Sequence, residues 1–366
     1  MGDMRSTLIV VLGATVVAAY AHSRVTTIRQ ESPAPVSGNT TLTAVDGVKV
    51  GHFTLNERPT GCTVVLVKDD TTGGVDVRGG APGTRETDLL NPVNNVQIVN
   101  AISLSGGSAY GLDAASGVTR WLEEHNIGYR VGTSGVVPIV PSAILFDLSF
   151  GGSPKIRPTA DCGYKAAAAA TADPVKEGNV GAGAGATVGK SGGGRPMKAG
   201  IGSAAIRLPS GLMVAALVAV NAVGDIIDPA TGQVIAGART ADGKHLADAR
   251  KLLRSGAGRE GQPGENTTIG IVATNAKLTK VQAQKIAQMA HDGYARALSP
   301  VHTPGDGDAI FSLATGTWRG EANYGTIGAL AAEAMADAIV RAATQAASSN
   351  GVPSAAELGT IPARLR

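Results

Sequence analysis

Length, composition and charge set the first limits. The chain has 366 residues, enough for one large domain or two ordinary ones with a sizeable core. Its 32 Lys and Arg residues nearly balance 29 Asp and Glu residues, and no basic block is interleaved with aromatic side chains, which argues against a nucleic-acid partner. Cys62 and Cys162 match no metal or redox spacing; they could pair, but we expect two buried free thiols.

The first 43 residues predict an export signal and a linker. Arg5 precedes an apolar run over 8–19, and an Ala-x-Ala sequence ends at Ala21, so we predict a signal peptide over 1–21 and an exported protein, periplasmic or secreted. A membrane anchor is the alternative, but spanning takes about 20 apolar residues and this run is shorter. Residues 22–43 are polar and linker-like, so their Asn39-Thr40-Thr41 sequence is expected to lie far from any core.

We predict one domain over 44–346, because no strong change of composition interrupts this range. It begins with strands in VKVGHFTL and CTVVLVKDD, followed by a helix in NVQIVNAISLS, a glycine-rich joint and a second helix that ends near His125. A strand interrupted by Pro138 and Pro141 and an alanine-rich helix in YKAAAAATA come next. GLMVAALVAVNAVGDIID predicts a long buried strand or a strand pair.

The last third continues this mixture of strands and helices. A short apolar strand starts near Ile269, and Thr279 with Gln282 forms a capping box for an amphipathic helix. A further helix is predicted over about 327–346, and residues 347–366 are expected to be loosely held. Because there is no regular βαβ repeat, we predict a layered α+β or α/β domain.

Two stretches resemble ligand sites but lack the context of such sites. Ala184–Ser191, AGATVGKS, is similar to a phosphate loop, yet the GGGRPMKAG that follows cannot start the helix such a loop requires. His291, and His302 with Asp306 and Asp308, suggest a metal, but the six histidines offer no i, i+4 pair. We expect neither a nucleotide nor a metal, and a surface or capping role for His291.

Two glycine-rich segments are candidates for parts of a site. LSGGSAYG contains Ser105 and Ser108 but no G-x-S-x-G elbow, so we expect only a turn between a strand and a helix. RGGAPGTRETDLL, over Arg78–Leu90, is dense in turn-forming and charged residues. It fits a surface loop or one wall of a site, and the sequence leaves both alternatives open.

Asn266-Thr267-Thr268 lies where the flexible loop RSGAGREGQPGE meets the strand that starts near Ile269. A hydroxyl side chain at such a junction suits the nucleophile of a self-processing enzyme. It is also an ordinary way for a loop to end, so the tripeptide alone decides nothing.

A longer set of motifs points to a family. In order, RGGAPGTRETD, LSGGSAYGL, SGVVPIVPSAILFDL, RPTADCGY, NVGAGAGATVGK, NTTIGIVATNAKLTK and AHDGYARALSPVHTPGDGDAIFSLATG extend over most of the domain. This sequence resembles the L-aminopeptidase/D-esterase family of self-cleaving hydrolases, which includes β-aminopeptidases and 6-aminohexanoate-oligomer endohydrolases. The resemblance implies a four-layer αββα sandwich, two associated chains cut between 266 and 267, a homo-oligomer that would be a tetramer, and no cofactor.

The resemblance also implies a nucleophile and its base. Thr267 matches the residue that follows the cut, and Asn266 precedes it. After the cut, Thr267 carries a new α-amino group, which titrates near 7.7–8.0 and can act as base for the hydroxyl of the same residue. One residue then supplies both functions.

The remaining site residues follow by the same match. Lys190 is implied to stabilise negative charge, and Asn221 to help form the oxyanion hole. Asp306 and Asp308 are implied to orient the Thr267 hydroxyl and amine; two Asp here lean toward the oligomer-hydrolase branch, since the aminopeptidase branch tends to have Ser and Glu. Phe146 stands where some members carry a Tyr hydroxyl.

The leading prediction is a self-cleaving amidohydrolase or aminopeptidase that acts on small peptides or amide oligomers. An acyltransferase is the alternative among enzymes, because an amine can take the acyl group in place of water. A non-catalytic protein of the same fold, or a nucleotide-binding protein built on AGATVGKS, is the alternative among binding proteins. The natural substrate is left open.

Overall fold

Two five-stranded sheets form the centre of the computed structural model, which describes residues 38–192, 195–258 and 265–366. The predicted signal peptide over 1–21 and most of the predicted linker lie outside the described residues. The mixture of sheets and separate helices is of the α+β type, as predicted. Within the described residues, no helix is both long enough and apolar enough to cross a membrane.

The secondary structure runs as follows in chain order. The strands are β1 (Val48–Thr54), β2 (Gly61–Val67), β3 (Thr72–Val77), β4 (Thr84–Arg85), β5 (Ala101–Ser105), β6 (Tyr129–Arg130), β7 (Val136–Val137), β8 (Ser142–Ile144), β9 (Thr187–Val188), β10 (Met197–Lys198), β11 (Ile201–Arg207), β12 (Met213–Asn221), β13 (Asp225–Ile227), β14 (Val234–Ala236), β15 (Thr267–Thr274), β16 (Leu298–Ser299) and β17 (Ala309–Ala314). The α-helices are α1 (Ala114–Glu124), α2 (Ala160–Ala168), α3 (Ala249–Arg254), α4 (Lys280–Ala297) and α5 (Tyr324–Thr344).

The two large sheets have different strand orders. The first sheet is ordered β1-β2-β5-β8-β4, and the second β11-β12-β15-β17-β3. In the second sheet, β15 pairs antiparallel with β12 and parallel with β17. Every residue of β12 and β15 is buried, which accounts for the almost uninterrupted apolar sequence of β12.

Three groups of buried apolar side chains hold the sheets and helices together. The first lies between the first sheet and helices α1 and α2, and the second between the second sheet and helices α4 and α5. The third contains side chains from both sheets, among them Val65, Ile102, Leu104, Leu217, Ile271 and Leu313. Helices α1 and α2 approach each other at two glycines, because a Cβ at Gly117 would lie 1.6 Å from Ala160 O and one at Gly163 would lie 1.9 Å from Ala114 O.

The helix predicted in NVQIVNAISLS is wrong, because this stretch contains strand β5. Ile102 and Leu104 lie in the apolar group shared by the two sheets, whereas Ala101 lies in the group under the helices. Both faces of the strand are therefore buried. Ile102 and Leu104 do alternate with Ser103 and Ser105, but the strand has only five residues, and Val96, Val99 and Ile102 recur at a helix-like spacing of three.

The second predicted helix of that region and the later helices are confirmed. Helix α1 ends at Glu124, next to the predicted end at His125. Helix α4 begins with the predicted capping box, in which Thr279 Oγ1 accepts from Gln282 N and Gln282 Oε1 accepts from Thr279 N. Helix α5 covers most of the predicted range 327–346 and begins three residues earlier.

The expected pair of free thiols is wrong, because Cys62 and Cys162 form a disulfide bond. The bond joins β2 to α2, one of the two helices that cover the first sheet. Sequence spacing could not reveal it, since the two residues are separated by 100 positions and meet only through helix packing.

Both ends of the described chain are packed more closely than predicted. Thr41 and Leu42 are buried, so the Asn39-Thr40-Thr41 sequence, expected to lie far from any core, adjoins the core. In the segment 347–366, Ala355 is fully buried among the side chains around α5, and Arg364 forms an ion pair with Asp228. The tail is therefore part of the packed structure, and not loosely held.

Candidate active site

Strand topology brings several of the predicted site residues together where the inner strands of the second sheet start or end; we call this place the site edge of the sheet. Thr267 is the first residue of the central strand β15, and Asn221 is the last residue of the antiparallel neighbour β12 and its register partner. Strand β17 is parallel to β15, so the residues that precede β17 also lie at this edge, and among them are Asp306 and Asp308. The sequence predicted these residues, but it could not predict the strand pairing that brings them together.

The peptide bond between residues 266 and 267 lies in a buried and tightly bonded position. Asn266 and Thr267 are 1% and 2% exposed. The Thr267 hydroxyl donates to the Asn266 carbonyl oxygen at 2.5 Å, and Gly307 N donates to the same oxygen at 2.9 Å. The hydroxyl thus lies directly beside the carbonyl group that precedes it.

Lys190 and Asn221 form a second group of donors at the site edge. Lys190 Nζ donates to the carbonyl oxygen and to Oδ1 of Asn221, at 3.0 and 2.9 Å, and to Glu265 O at 3.3 Å. Asn221 Nδ2 donates to Phe146 O at 2.8 Å and to Glu265 O at 3.4 Å. Burial lowers the pKa of Lys190 to about 7, although Asp306 and other nearby carboxylates partly offset the effect.

The two predicted acids are buried beside Thr267, but their hydrogen bonds go to its neighbours. Asp308 Oδ1 accepts from Thr268 N at 2.7 Å, and Asp308 Oδ2 accepts from His302 N at 3.1 Å and contacts His302 Nδ1 at 2.9 Å. Asp306 Oδ2 accepts from Thr303 N at 2.8 Å. Burial and the neighbouring Asp308 raise the pKa of Asp306. Within the described residues, neither carboxylate is hydrogen-bonded to Thr267.

The segment Arg78–Leu90 forms a wall of this site, which decides between the two alternatives. Its Arg78 and Gly79 amides donate to Asp308 O, and its Ala81 amide donates to Asp306 O. A Cβ at Gly79 would lie 2.3 Å from Asp306 O, so a glycine is needed for this close approach.

A polar cavity of about 50 Å³ opens beside Lys190, lined by Phe146, Asp147, Ser149, Phe150, Gly185, Thr187, Lys190 and Glu265. Asp147 forms a buried ion pair with Arg58 at 2.7 Å, in which both side chains are 0% exposed. Asp147 also accepts from Thr60 Oγ1 and Gly107 N. Removing one partner of such a pair leaves an uncompensated buried charge, which is costly in free energy. The two side chains therefore hold each other, and this wall of the cavity, in place.

Sequence reasoning missed Arg58, Asp147, Lys198 and Gly307. Lys198 is fully buried and donates to the backbone oxygens of Ala186 and Ala199, at 2.8 and 2.6 Å, which supports the loop before Lys190. An isolated Arg, Asp or Lys gave no signal. Gly307 lies inside PGDGD, where the motif assigns roles only to the two acids.

The other candidate segments from the sequence have structural roles. Lys190, in the phosphate-loop-like AGATVGKS, lies in a short 3-10 helix (Lys190–Gly192), the next described element is strand β10, and the Lys190 ammonium contacts carbonyl oxygens. Ser105 Oγ donates to Gly111 O within the turn between β5 and α1. The expected surface or capping role of His291 is wrong: the residue is 2% exposed, and its Nε2 contacts Asp76 O at 3.1 Å beneath β3. Within the described residues, no group of His, Cys, Asp and Glu side chains is arranged to hold a metal.

Two solved structures of aminopeptidases share this architecture. The L-aminopeptidase D-Ala-esterase/amidase of Ochrobactrum anthropi, a prototype of the serine aminopeptidases with a variant of the Ntn hydrolase fold, matches with a TM-score of 0.66 and 19% identity, over 89% of this chain and 94% of that chain. A β-aminopeptidase of Burkholderia sp. matches with a TM-score of 0.63 and 23% identity, over 88% and 92% of the two chains. The fold is therefore that of the Ntn hydrolases.

Sequence comparison identifies the family. The family model of peptidase family S58 matches residues 40–356, and the chain belongs to this family. An uncharacterized aminopeptidase of Mycobacterium tuberculosis is 44% identical over 339 residues, covering 85% of this chain and 96% of the relative. The 6-aminohexanoate-oligomer endohydrolase of Kocuria sp. is 33% identical over 311 residues, covering 81% and 84%. The protein is thus an amide-bond hydrolase, as the sequence motifs implied.

Proposed function

We propose that this hydrolase cuts its own chain between Asn266 and Thr267 and then uses Thr267 as an N-terminal nucleophile. The main support is the Thr267 hydroxyl, which lies 2.5 Å from the Asn266 carbonyl oxygen at the start of a buried strand. The hydroxyl oxygen attacks the Asn266 carbonyl carbon, the C–N bond breaks, and the hydroxyl proton passes to the leaving nitrogen. Water then hydrolyses the resulting ester, which leaves an Asn266 carboxylate and a free Thr267 α-amine.

The same residue carries the catalytic cycle of the cut enzyme. The Thr267 amine, neutral near pH 8, takes the proton of the Thr267 hydroxyl while the oxygen attacks a substrate amide. The proton passes to the leaving amine, and water releases the acyl group from Thr267. Lys190 and Asn221 donate to the substrate carbonyl as negative charge develops on its oxygen. Phe146 has no hydroxyl to add to this donor set.

We propose small peptides or amide oligomers with a narrow reacting end as substrates. The cavity beside Lys190 is small and polar, which suits one extended chain near the nucleophile. Thr267 with the acid pair Asp306 and Asp308 favours the oligomer-hydrolase branch, whereas the higher identity to a mycobacterial aminopeptidase, 44%, favours cleavage from an amino end. Linear 6-aminohexanoate oligomers and amino-acid anilides are therefore the two substrate sets to compare.

We further propose export, a four-layer αββα arrangement and a homo-oligomer. The sequence of residues 1–21 and the Cys62–Cys162 disulfide support export, because disulfides persist in oxidising compartments. Three apolar groups, one between the sheets and one under each helix pair, support the layer order. The tetramer rests on the family resemblance.

Replacement of each threonine tests the proposed function. Thr267→Ala removes the nucleophile, so we expect one uncut chain without amide hydrolysis, measured by denaturing electrophoresis and by release of amine from both substrate sets. Thr268→Ala is the matched control, because it removes the same hydroxyl one residue further along the strand and should still be cut and active. A Thr267→Ala protein that is cut and active would refute the proposal.

A further inference from the structure

Two adjacent carbonyl groups at the junction are held by two separate sets of donors. The Asn266 carbonyl oxygen accepts from Gly307 N at 2.9 Å and from the Thr267 hydroxyl. The preceding carbonyl oxygen, of Glu265, accepts from Lys190 Nζ at 3.3 Å and from Asn221 Nδ2 at 3.4 Å. In the described structure, neither Lys190 nor Asn221 is hydrogen-bonded to the carbonyl that would be attacked in self-cleavage.

The chemistry of the two reactions requires this separation. In self-cleavage, the attacked carbonyl carbon is covalently bound to the Thr267 nitrogen, so its oxygen has to lie close to the start of β15. In substrate hydrolysis, the same nitrogen is free and acts as the base, so the attacked carbonyl approaches the hydroxyl from another direction. The two oxyanions therefore form at different places, and donors placed for one are not placed for the other.

We propose that the Gly307 N–H is the oxyanion donor of self-cleavage, and that Lys190 and Asn221 serve chiefly the substrate oxyanion after the cut. This proposal rests on the proposed function and adds that self-cleavage and substrate hydrolysis use different oxyanion donors. In the uncut chain, the Glu265 carbonyl occupies the substrate donors. The uncut enzyme is thus held inactive in two ways: it lacks the free amine, and its own chain fills the oxyanion hole.

The surroundings of Gly307 suit a fixed donor. A Cβ at this position would lie 2.8 Å from Thr267 Oγ1 and 2.8 Å from Ala81 O, so only glycine brings its N–H this close without displacing the nucleophile. The residues on either side are anchored, because the amides of the Arg78–Leu90 wall donate to the carbonyl oxygens of Asp306 and Asp308. Such a donor costs little reorganisation when the charge develops.

Separate rates for the two reactions test the division. Asn221→Ala should lower turnover by roughly 10²- to 10³-fold, the usual effect of removing one oxyanion donor, and should slow self-cleavage by less than about 10-fold. Gly307→Ala should slow self-cleavage by roughly 10²-fold or more, because its Cβ displaces either the donor or the hydroxyl. Self-cleavage is followed by pulse–chase electrophoresis of the full chain, and turnover is normalised to the cut fraction.

Equal slowing of both reactions by Asn221→Ala would overturn the proposal, since it would show one shared oxyanion hole. Hydrogen exchange of the Gly307 amide in the uncut Thr267→Ala protein provides a measurement that does not depend on the folding of Gly307→Ala. Slow exchange is expected, and exchange at the rate of an exposed amide would contradict the proposal. Failure of the proposed function is recognised separately, because the unmutated chain would then stay uncut or Thr267→Ala would still be cut.

Discussion

Individual residues at this site differ in what surrounds them, and the difference assigns their roles. Lys190 and Lys198 both have a pKa lowered by burial to about 7. Lys198 is fully buried and bonds to backbone oxygens of the loop, so it supports structure. Lys190 is only half-buried and reaches Asn221 and Glu265 at the edge of the cavity, so it is the lysine that can meet a substrate.

The pH dependence of turnover tests the role of Lys190. We propose that its cationic form stabilises the substrate oxyanion, and this form is lost as the pH rises through about 7. Because the Thr267 amine must be neutral and titrates near 7.7–8.0, we expect kcat/KM to be highest between about pH 7 and 8 and to fall on the alkaline side above about 8. Lys190→Arg should remove the alkaline limb, because a guanidinium stays charged throughout this range.

The matched control for this experiment is Lys165→Arg. Lys165 forms an exposed ion pair with Asp161 on helix α2, so the same substitution there should leave the profile unchanged. An alkaline limb that persists with the same midpoint in Lys190→Arg would show that Lys190 does not produce it.

Secondary-structure elements were predictable where local sequence decides them. The capping box at Thr279 and Gln282 fixed the start of α4, and the uninterrupted apolar sequence identified β12. Strand β5 was missed because it has only five residues, and Val96, Val99 and Ile102 recur at a spacing of three that favours a helix. No pattern in a single sequence could predict that Thr267 pairs with Asn221, because the two residues belong to different strands and are 46 positions apart.

The disulfide between β2 and α2 makes a prediction about stability. It closes a segment of 100 residues, and a bond of this kind typically contributes about 2–4 kcal/mol by restricting the unfolded chain. We expect Cys62→Ala combined with Cys162→Ala to lower the free energy of unfolding by about that amount, measured by denaturant titration.

Thiol reduction of the unmutated protein is the matched control, since it breaks the bond and keeps both side chains. Reduction and double substitution should lower stability by similar amounts. A doubly substituted protein within about 0.5 kcal/mol of the unmutated one would show that the disulfide adds little to the stability of the fold.

The whole molecule explains why a cut at residue 267 would not separate the two pieces. The second sheet takes β3, β11 and β12 from the first piece and β15 and β17 from the second. Strand β15 pairs along its full length with β12, and β17 pairs with β3, so separation would break the centre of the sheet and the apolar groups on both its faces. We therefore expect a cut protein to keep its fold and migrate as one particle under native conditions.

Determination of the N-terminal sequence of the smaller fragment, after denaturation, tests the central claim most directly. Self-cleavage at Asn266–Thr267 predicts a fragment of 100 residues, Thr267 to Arg366, that begins Thr-Thr-Ile. A fragment that begins Thr-Ile-Gly would move the nucleophile to Thr268. A single uncut chain that hydrolyses amides at the full rate would contradict the account.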